Sequence, residues 1–176
     1  MESVALTYAK ALFSLSLEEN NSDVILKEIK EINTIILQNK ELIKILESKS
    51  IDKENKKEIL EKIFKGKINN DLLNFLKLLI DKSRFHNIIR ICDEYKKMYL
   101  EYNGIKEAKV YSASKLTEKK LDEIKVSLEN KYSSKFVVEN FIDEKLVAGV
   151  KVVIGDLVLD GSISNKLDRM KSSISI

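Results

Sequence analysis

Five residues near the end of the chain are of types that bind phosphate or metal ions: Gly155, Asp156, Asp160, Gly161 and Ser162. A P-loop needs the spacing G-x-x-x-x-G-K-[ST], in which backbone amides surround the phosphate and the lysine neutralises it. Here five residues separate the two glycines, and Ser162 follows Gly161 with no lysine between them. The dinucleotide pattern G-x-G-x-x-G is also absent from this stretch. The spacing therefore does not predict a phosphate-binding site.

The two aspartates do not predict a metal site. Asp156 and Asp160 flank an extended segment, which separates their Cα atoms by roughly 13 Å at about 3.3 Å per residue. Two carboxylates that far apart do not bind one ion, because carboxylate oxygens lie about 2.3–2.6 Å from a bound Ca²⁺. We therefore expect neither a metal ion nor a cofactor here.

A structural interpretation accounts for all of these residues. Gly155-Asp156 is typical of a two-residue turn between antiparallel strands, with glycine where φ is positive. Asp160 or Ser162 would then be the N-cap of a final helix. The residues expected to form turns and caps are Gly149, Gly155, Asp156, Asp160, Gly161 and Ser162.

His86 and Cys92 are the other candidates for catalysis. They lie six residues apart on a predicted helix, and at 100° per residue their side chains are turned about 240° from each other. They do not form a Cys–His pair on one face. Cys92 falls on an apolar line of that helix, so we expect a small core residue. The sequence thus predicts no catalytic residue and a protein that is not an enzyme.

Composition excludes further classes of protein. The 176 residues are 44% hydrophobic and 34% charged, with a net charge of only +3. Lysine and arginine number 18 against 17 acidic residues in 1–104, and 13 against 11 in 105–176. Nucleic-acid binding is therefore not expected, since it requires a more concentrated positive charge. The most apolar run, 72–80, falls short of the roughly 20 residues that span a bilayer, so we expect no membrane insertion.

Periodicity predicts a mainly α fold with two domains. Six helices are expected near 3–18, 23–38, 40–47, 52–64, 70–82 and 85–103, the last ending at Gly104 as a left-handed C-cap. Beyond Gly104 we expect a strand at 105–112, a helix at 118–131 capped by Thr117, a strand at 136–142, a β-hairpin and a final helix. The prediction is a six-helix bundle over 1–104 followed by a small α+β domain over 105–176.

Two predicted helices are more apolar than a surface helix requires. Apolar residues cover an arc of roughly 240° over 4–18 and about 220° over 72–80, whereas a surface helix needs little more than 100°. Such helices are either central to the bundle or pack a second face against a partner. The second interpretation is a groove that binds an amphipathic helix.

Three segments together carry a resemblance to a known family: YAKALF at 8–13, FLKLLIDKSR at 75–84 and AGVKVVIGDLVLDGSISNKLDRM at 148–170. In order and over about 4–172, the chain resembles the delta subunit of bacterial rotary ATP synthases, the counterpart of the mitochondrial oligomycin-sensitivity-conferring protein. The resemblance implies a non-catalytic stator part, present in one copy at the cytoplasmic face of the plasma membrane. It also implies two protein partners: the N-terminal helix of an alpha subunit and the b subunits of the peripheral stalk.

The resemblance implies that the alpha helix binds between the first and fifth helices. The matching positions are Tyr8, Ala9, Leu12, Phe13, Leu72, Leu76, Leu79 and Arg84. The sequence leaves open which faces of these helices meet the partner and which meet the bundle core. Two other hypotheses remain at this stage: a free-standing helical adaptor that uses the same groove, and an RNA-binding protein whose sheet would present Tyr111, Phe136 and Phe141.

Overall fold

The computed structural model describes residues 3–146 and 148–161. The chain folds as two compact units, Met1–Tyr99 and Leu100–Ile176. Seven α-helices and four strands lie within the described residues. The division between the units falls inside the sixth helix, whereas the sequence placed the boundary at Gly104.

Six helices precede Gly104, with a single 3-10 turn between the last two. They are α1 (Val4–Glu18), α2 (Ser22–Gln38), α3 (Lys40–Glu47), α4 (Lys53–Phe64), α5 (Asn70–Asp81) and α6 (Ile88–Tyr102), with the 3-10 turn at Phe85–Asn87. Polar residues begin several of them: the side chains of Ser3, Asp52 and Asn69 each accept a hydrogen bond from a backbone N–H of the following turn. The predicted helix positions are confirmed to within a few residues.

The core of the first unit is built from one apolar stripe per helix. Along α2 the stripe is Ile25, Ile29, Ile32 and Ile36, each no more than 3% exposed. The spacing of three and four residues explains why these isoleucines share a face. Leu60, Leu76 and Tyr95 are each 0% exposed and bring α4, α5 and α6 into the same core.

The second unit is a four-stranded mixed sheet with one described helix. Its elements are β1 (Ile105–Ser112), α7 (Glu118–Tyr132), β2 (Lys135–Ile142), β3 (Val150–Ile154) and β4 (Leu157–Asp160), in the sheet order β2-β1-β3-β4. Strands β1 and β2 are parallel because α7 connects them, and β3 pairs antiparallel with both β1 and β4. Gly104 has φ +62° at the end of α6, as the predicted C-cap requires.

Helix α7 packs through Leu128, which is 5% exposed, onto a core that includes Ala108, Val110, Phe136 and Val152. Thr117 caps α7 by accepting a hydrogen bond from the Lys120 N–H at 3.4 Å, as predicted. The predicted final helix, together with Ser162 as a cap, lies outside the described residues.

Candidate partner-binding surface

The turn residues of the opening motif have structural roles. Gly155 and Asp156 form a two-residue turn between β3 and β4, and Gly155 has φ +55°. Because Asp156 is not among the positive-φ residues, the turn has glycine at its first central position, as type II′ turns do. Gly149 has φ +94°, and Gly161 donates its N–H to the Val150 carbonyl at 3.0 Å.

Asp160 is the last residue of β4, where it lies opposite Lys151 on β3. Within the described residues no group of three or more His, Cys, Asp or Glu side chains is placed to bind a metal ion. Among the described helices, none is long and apolar enough to cross a membrane.

The two candidates for nucleophilic chemistry lie apart. Cys92 is 3% exposed in the first core, and burial raises the pKa of its thiol to about 12. Its predicted place in the core is confirmed. His86 is exposed in the 3-10 turn, where its Nε2 lies 2.9 Å from the side-chain nitrogen of Asn87. The geometry offers no activated thiol.

Most residues expected to contact a partner are instead part of the core. Ala9, Leu12, Leu72, Leu76 and Leu79 are between 0% and 2% exposed. Their side chains face the other helices of the first unit, so a partner does not reach them without opening the core. The structure thus gives these five residues a role in the core, and their expected contact with a partner stays a prediction. Their physical role is to stabilise the unit, at about 2–5 kcal/mol for each leucine relative to alanine.

The other three expected contact residues lie at or near the surface. Tyr8 is half-buried, and its ring meets that of Phe75 edge to face, with 6.3 Å between centroids. Phe13 is also half-buried and packs edge to face on Tyr95 at 5.5 Å. Arg84 is exposed beyond α5, and its backbone N–H donates to the Leu79 carbonyl at 2.8 Å. Arg84 therefore helps to end α5.

Helix α1 carries a second apolar line outside the core. Val4, Tyr8, Ala11 and Leu15 follow the spacing i, i+4, i+7, i+11, and at 100° per residue this line is turned about 100° from the buried line. Val4 is 40% exposed and Leu15 38%. The breadth of the apolar arc in the sequence was the signal for this line, but it did not separate the inner from the outer residues.

The contact between Tyr8 and Phe75 places this line beside α5. Leu78 lies three residues after Phe75, hence on the same side of α5, and it is 41% exposed. Val4, Tyr8, Ala11, Leu15 and Leu78 are named here the α1/α5 surface. This surface is a candidate site for binding protein because its exposed apolar side chains lie on two helices that are in contact through Tyr8 and Phe75.

Polar contacts fix α5 from its other side. Lys77 donates a hydrogen bond to Glu61 on α4 and lies about 160° round the helix from Phe75. This hydrogen bond, reinforced by the charge of Lys77, holds the pKa of Glu61 below its ordinary value. At the start of α5, Glu28 of α2 accepts a hydrogen bond from the Asn69 N–H at 2.9 Å. Burial dominates at Glu28 and raises its pKa.

The second unit has an exposed sheet surface opposite α7. Strand alternation places Tyr111, Phe141, Val153 and Val158 on this side, which is named here the outer sheet face. The rings of Tyr111 and Phe141 stack at 5.5 Å, Phe141 is 39% exposed and Val158 51%. Phe136 is 2% exposed and lies in the core on the α7 side, so the three aromatic residues considered for RNA do not share one face.

These features define a mainly helical chain with a small four-stranded mixed sheet. A family model described as "ATP synthase delta (OSCP) subunit" matches residues 4–174. The chain belongs to this family. It is a non-catalytic stator subunit of ATP synthase, one part of a larger complex, and it links the catalytic head to the peripheral stalk.

Relatives and solved structures agree with this family. The chain is similar to the ATP synthase subunit delta of Clostridioides difficile (strain 630), with 35% identity over 98% of this chain and 96% of the relative. It is 38% identical to the subunit delta of Clostridium perfringens (strain ATCC 13124) over 93% of this chain and 92% of the relative. A chain of the Toxoplasma gondii mitochondrial ATP synthase hexamer has the same fold, with TM-score 0.74 at 19% identity, covering 98% of this chain and 97% of that one.

Proposed function

We propose that the six helices of the first unit form one bundle, and that its α1/α5 surface binds the N-terminal helix of an alpha subunit of the catalytic head. The observation that carries this proposal is the exposed apolar line on α1, with Leu78 beside it. From Val4 to Leu15 the line runs roughly 16 Å at 1.5 Å per residue, which is three helical turns. A helix that packs its own i, i+4, i+7, i+11 line here would match the length of the line on α1.

The strength of this contact follows from the area that it covers. Full burial of a leucine or valine side chain stabilises by about 1.5–3 kcal/mol. Val4, Leu15 and Leu78 are 38–41% exposed, so covering them contributes roughly 0.6–1.2 kcal/mol each. The partner helix would bury a similar area, which gives about 4–7 kcal/mol before the cost of association. Even without that cost, about 4–7 kcal/mol corresponds to a Kd between about 10 μM and 1 mM, so we expect an affinity no tighter than about 10 μM from this contact alone.

We propose that the second unit binds the b subunits of the peripheral stalk. A stator link needs two separate attachments, and the chain has two compact units. The outer sheet face offers such a partner the exposed apolar side chains of Phe141 and Val158, beside the charged side chains of Lys109 and Lys151 on the same face. The complex would hold one copy of this chain, at the cytoplasmic face of the bacterial plasma membrane, without insertion into the bilayer.

This division of binding supplies a mechanical function. The central rotor turns inside the head while ions cross the membrane motor, and the head must not turn with it. A chain that binds the head with one unit and the stalk with the other transmits the torque on the head to the stalk, and the head then stays in place while the rotor turns. Family membership favours this role over a free-standing adaptor, and nucleic acid is not an expected partner.

Titration of the full chain with a peptide from the alpha-subunit N-terminus tests the first attachment. We expect saturable binding at roughly tens of micromolar to millimolar peptide, with chemical-shift or fluorescence changes at α1 and α5. A scrambled peptide of the same composition is the control. No binding at those concentrations, or shifts confined to the second unit, would contradict the proposal.

A further inference from the structure

Helix α6 is the element through which the chain passes from one unit to the other. It spans Ile88–Tyr102, and the division between the units falls after Tyr99. Tyr95 and Tyr99 lie four residues apart on one face, in the last part of α6 that belongs to the first unit. Any force that reaches the first unit along the chain arrives first at these two residues.

Tyr95 makes a buried polar contact with the corner between α1 and α2. Its side chain is 0% exposed, and its hydroxyl donates to Ser16 Oγ at 2.8 Å and lies 3.2 Å from the Ser22 carbonyl oxygen. Ser16 in turn donates to the Phe13 carbonyl at 2.7 Å. Burial raises the pKa of Tyr95 to about 12, so the hydroxyl keeps its proton. The ring of Phe13 packs edge to face against the Tyr95 ring beside these hydrogen bonds.

Tyr99 makes a second contact one turn further along α6. Its hydroxyl donates a hydrogen bond to the carboxylate of Asp23, in the first turn of α2. Acceptance by this carboxylate raises the pKa of Tyr99 as well. The two tyrosines therefore attach one face of α6 to the corner formed by residues 16–23. Tyr95 contacts Ser16 at the end of α1, and Tyr99 contacts Asp23 at the start of α2.

Apolar packing and hydrogen bonds respond differently to force along a helix. Apolar contacts have no preferred direction, so a helix slides over its neighbours at modest cost for each small step. A hydrogen bond weakens steeply once its distance and angle leave a narrow range. Hydrogen bonds at the end of α6 where force arrives therefore resist the first step of detachment.

We propose that the hydroxyls of Tyr95 and Tyr99, with Ser16 and Asp23, form a mechanical latch that keeps α6 on the first unit while force passes between the units. This inference rests on the stator function and on the proposed binding of head and stalk by different units. It assigns resistance to detachment to four polar residues that belong to neither proposed partner surface. The apolar core supplies most of the stability at rest, and the latch sets the rate of opening under force.

Single-molecule force spectroscopy on the full chain tests the latch. Handles are attached at cysteines introduced at Ala11 and Val158, which are both exposed. We expect the double variant Y95F/Y99F to detach α6 about tenfold faster at a fixed force, because each lost hydroxyl leaves a polar partner without its hydrogen bond. The same variant should show faster amide hydrogen exchange over the second half of α6.

Two controls separate a latch from a general loss of stability. Ile36→Val removes one methyl group from a core residue that is 1% exposed, at the far end of α2. It should lower the free energy of unfolding by a comparable amount without changing the rate at which α6 detaches at a fixed force. Tyr111→Phe removes a hydroxyl from the second unit and should change neither the stability of the first unit nor the rate at which α6 detaches. Equal effects of Ile36→Val and Y95F/Y99F on the rate at which α6 detaches, or no effect of Y95F/Y99F on that rate, would overturn the proposal. Alpha-peptide binding by Y95F/Y99F without the handle cysteines tests the proposed function separately, since Ala11 belongs to the α1/α5 surface and the latch does not depend on the peptide.

Discussion

Two neighbouring leucines of α5 should respond in opposite ways to the same substitution. Leu78 is 41% exposed on the α1/α5 surface, whereas Leu76 is 0% exposed in the core. Replacing Leu78 by aspartate leaves the core intact, so we expect a change of less than about 1 kcal/mol in the free energy of unfolding. Replacing Leu76 by aspartate removes a core side chain and buries a carboxylate, which costs about 5 kcal/mol or more.

The effect on binding should be the reverse of the effect on stability. Leu78→Asp loses roughly 1 kcal/mol of apolar burial and adds the cost of covering a charge, about 2 kcal/mol. Together these weaken alpha-peptide binding by about 100-fold. For Leu76→Asp, the loss approaches the whole stability of an ordinary domain, about 5–15 kcal/mol, so we expect the first unit to unfold.

The assay combines urea denaturation followed by circular dichroism with peptide titration by calorimetry. Leu37→Asp is the matched control, since Leu37 is 57% exposed on α2, outside the α1/α5 surface, and the substitution is the same. It should leave unfolding unchanged and binding within a few-fold of the natural chain. Normal peptide binding by Leu78→Asp, or a folded Leu76→Asp that fails to bind, would refute this assignment of faces on α5.

Three further predictions follow from contacts elsewhere in the chain. Cys92 should react with a thiol reagent only as fast as the first unit opens, because its side chain is 3% exposed and the same burial raises the pKa of its thiol to about 12. A burst of labelling in the native state would contradict this burial. Gly155→Ala should lower the free energy of unfolding by about 1–2 kcal/mol, since φ +55° is unfavourable for alanine, and Asp156→Ala should lower it by less. Equal melting temperatures of the two variants would argue against the turn. The pKa of Glu61 is held below its ordinary value of 4.5, so its stabilising contact with Lys77 is complete above that pH and is lost as the pH falls through the lowered pKa. Lys77→Met should therefore reduce the loss of stability between neutral and acid pH, and an unchanged acid profile would show that the contact contributes little.

The sequence predicted helices well where apolar spacing and caps agreed. In α2 a single isoleucine stripe fixes both the helix and its buried face, and Asp52 marks the start of α4 as expected. The switch to strands after Gly104 was equally clear, because glycine ends α6 with positive φ and alternation begins at once. The hairpin followed from Gly155, whose conformation favours glycine.

The faces of α1 and α5 were the part that the sequence left open. Both helices have apolar residues over more than half their circumference, so periodicity alone does not tell the core line from the outer line. The core line is decided by contacts between distant residues, since Ala9 and Leu12 of α1 lie in one core with Leu76 of α5. The latch was missed for the same reason, since Ser16 and Tyr95 are 79 residues apart.

The central claim is that one unit of this chain binds the head and the other binds the stalk. Photo-crosslinking in the assembled ATP synthase tests it most directly, with a benzoylphenylalanine placed either at position 78 or at position 158 and the crosslinked subunit identified by mass spectrometry. We expect position 78 to crosslink to the N-terminal segment of an alpha subunit and position 158 to crosslink to a b subunit. Crosslinks from position 78 to a b subunit, or from position 158 to the alpha N-terminus, would contradict the claim.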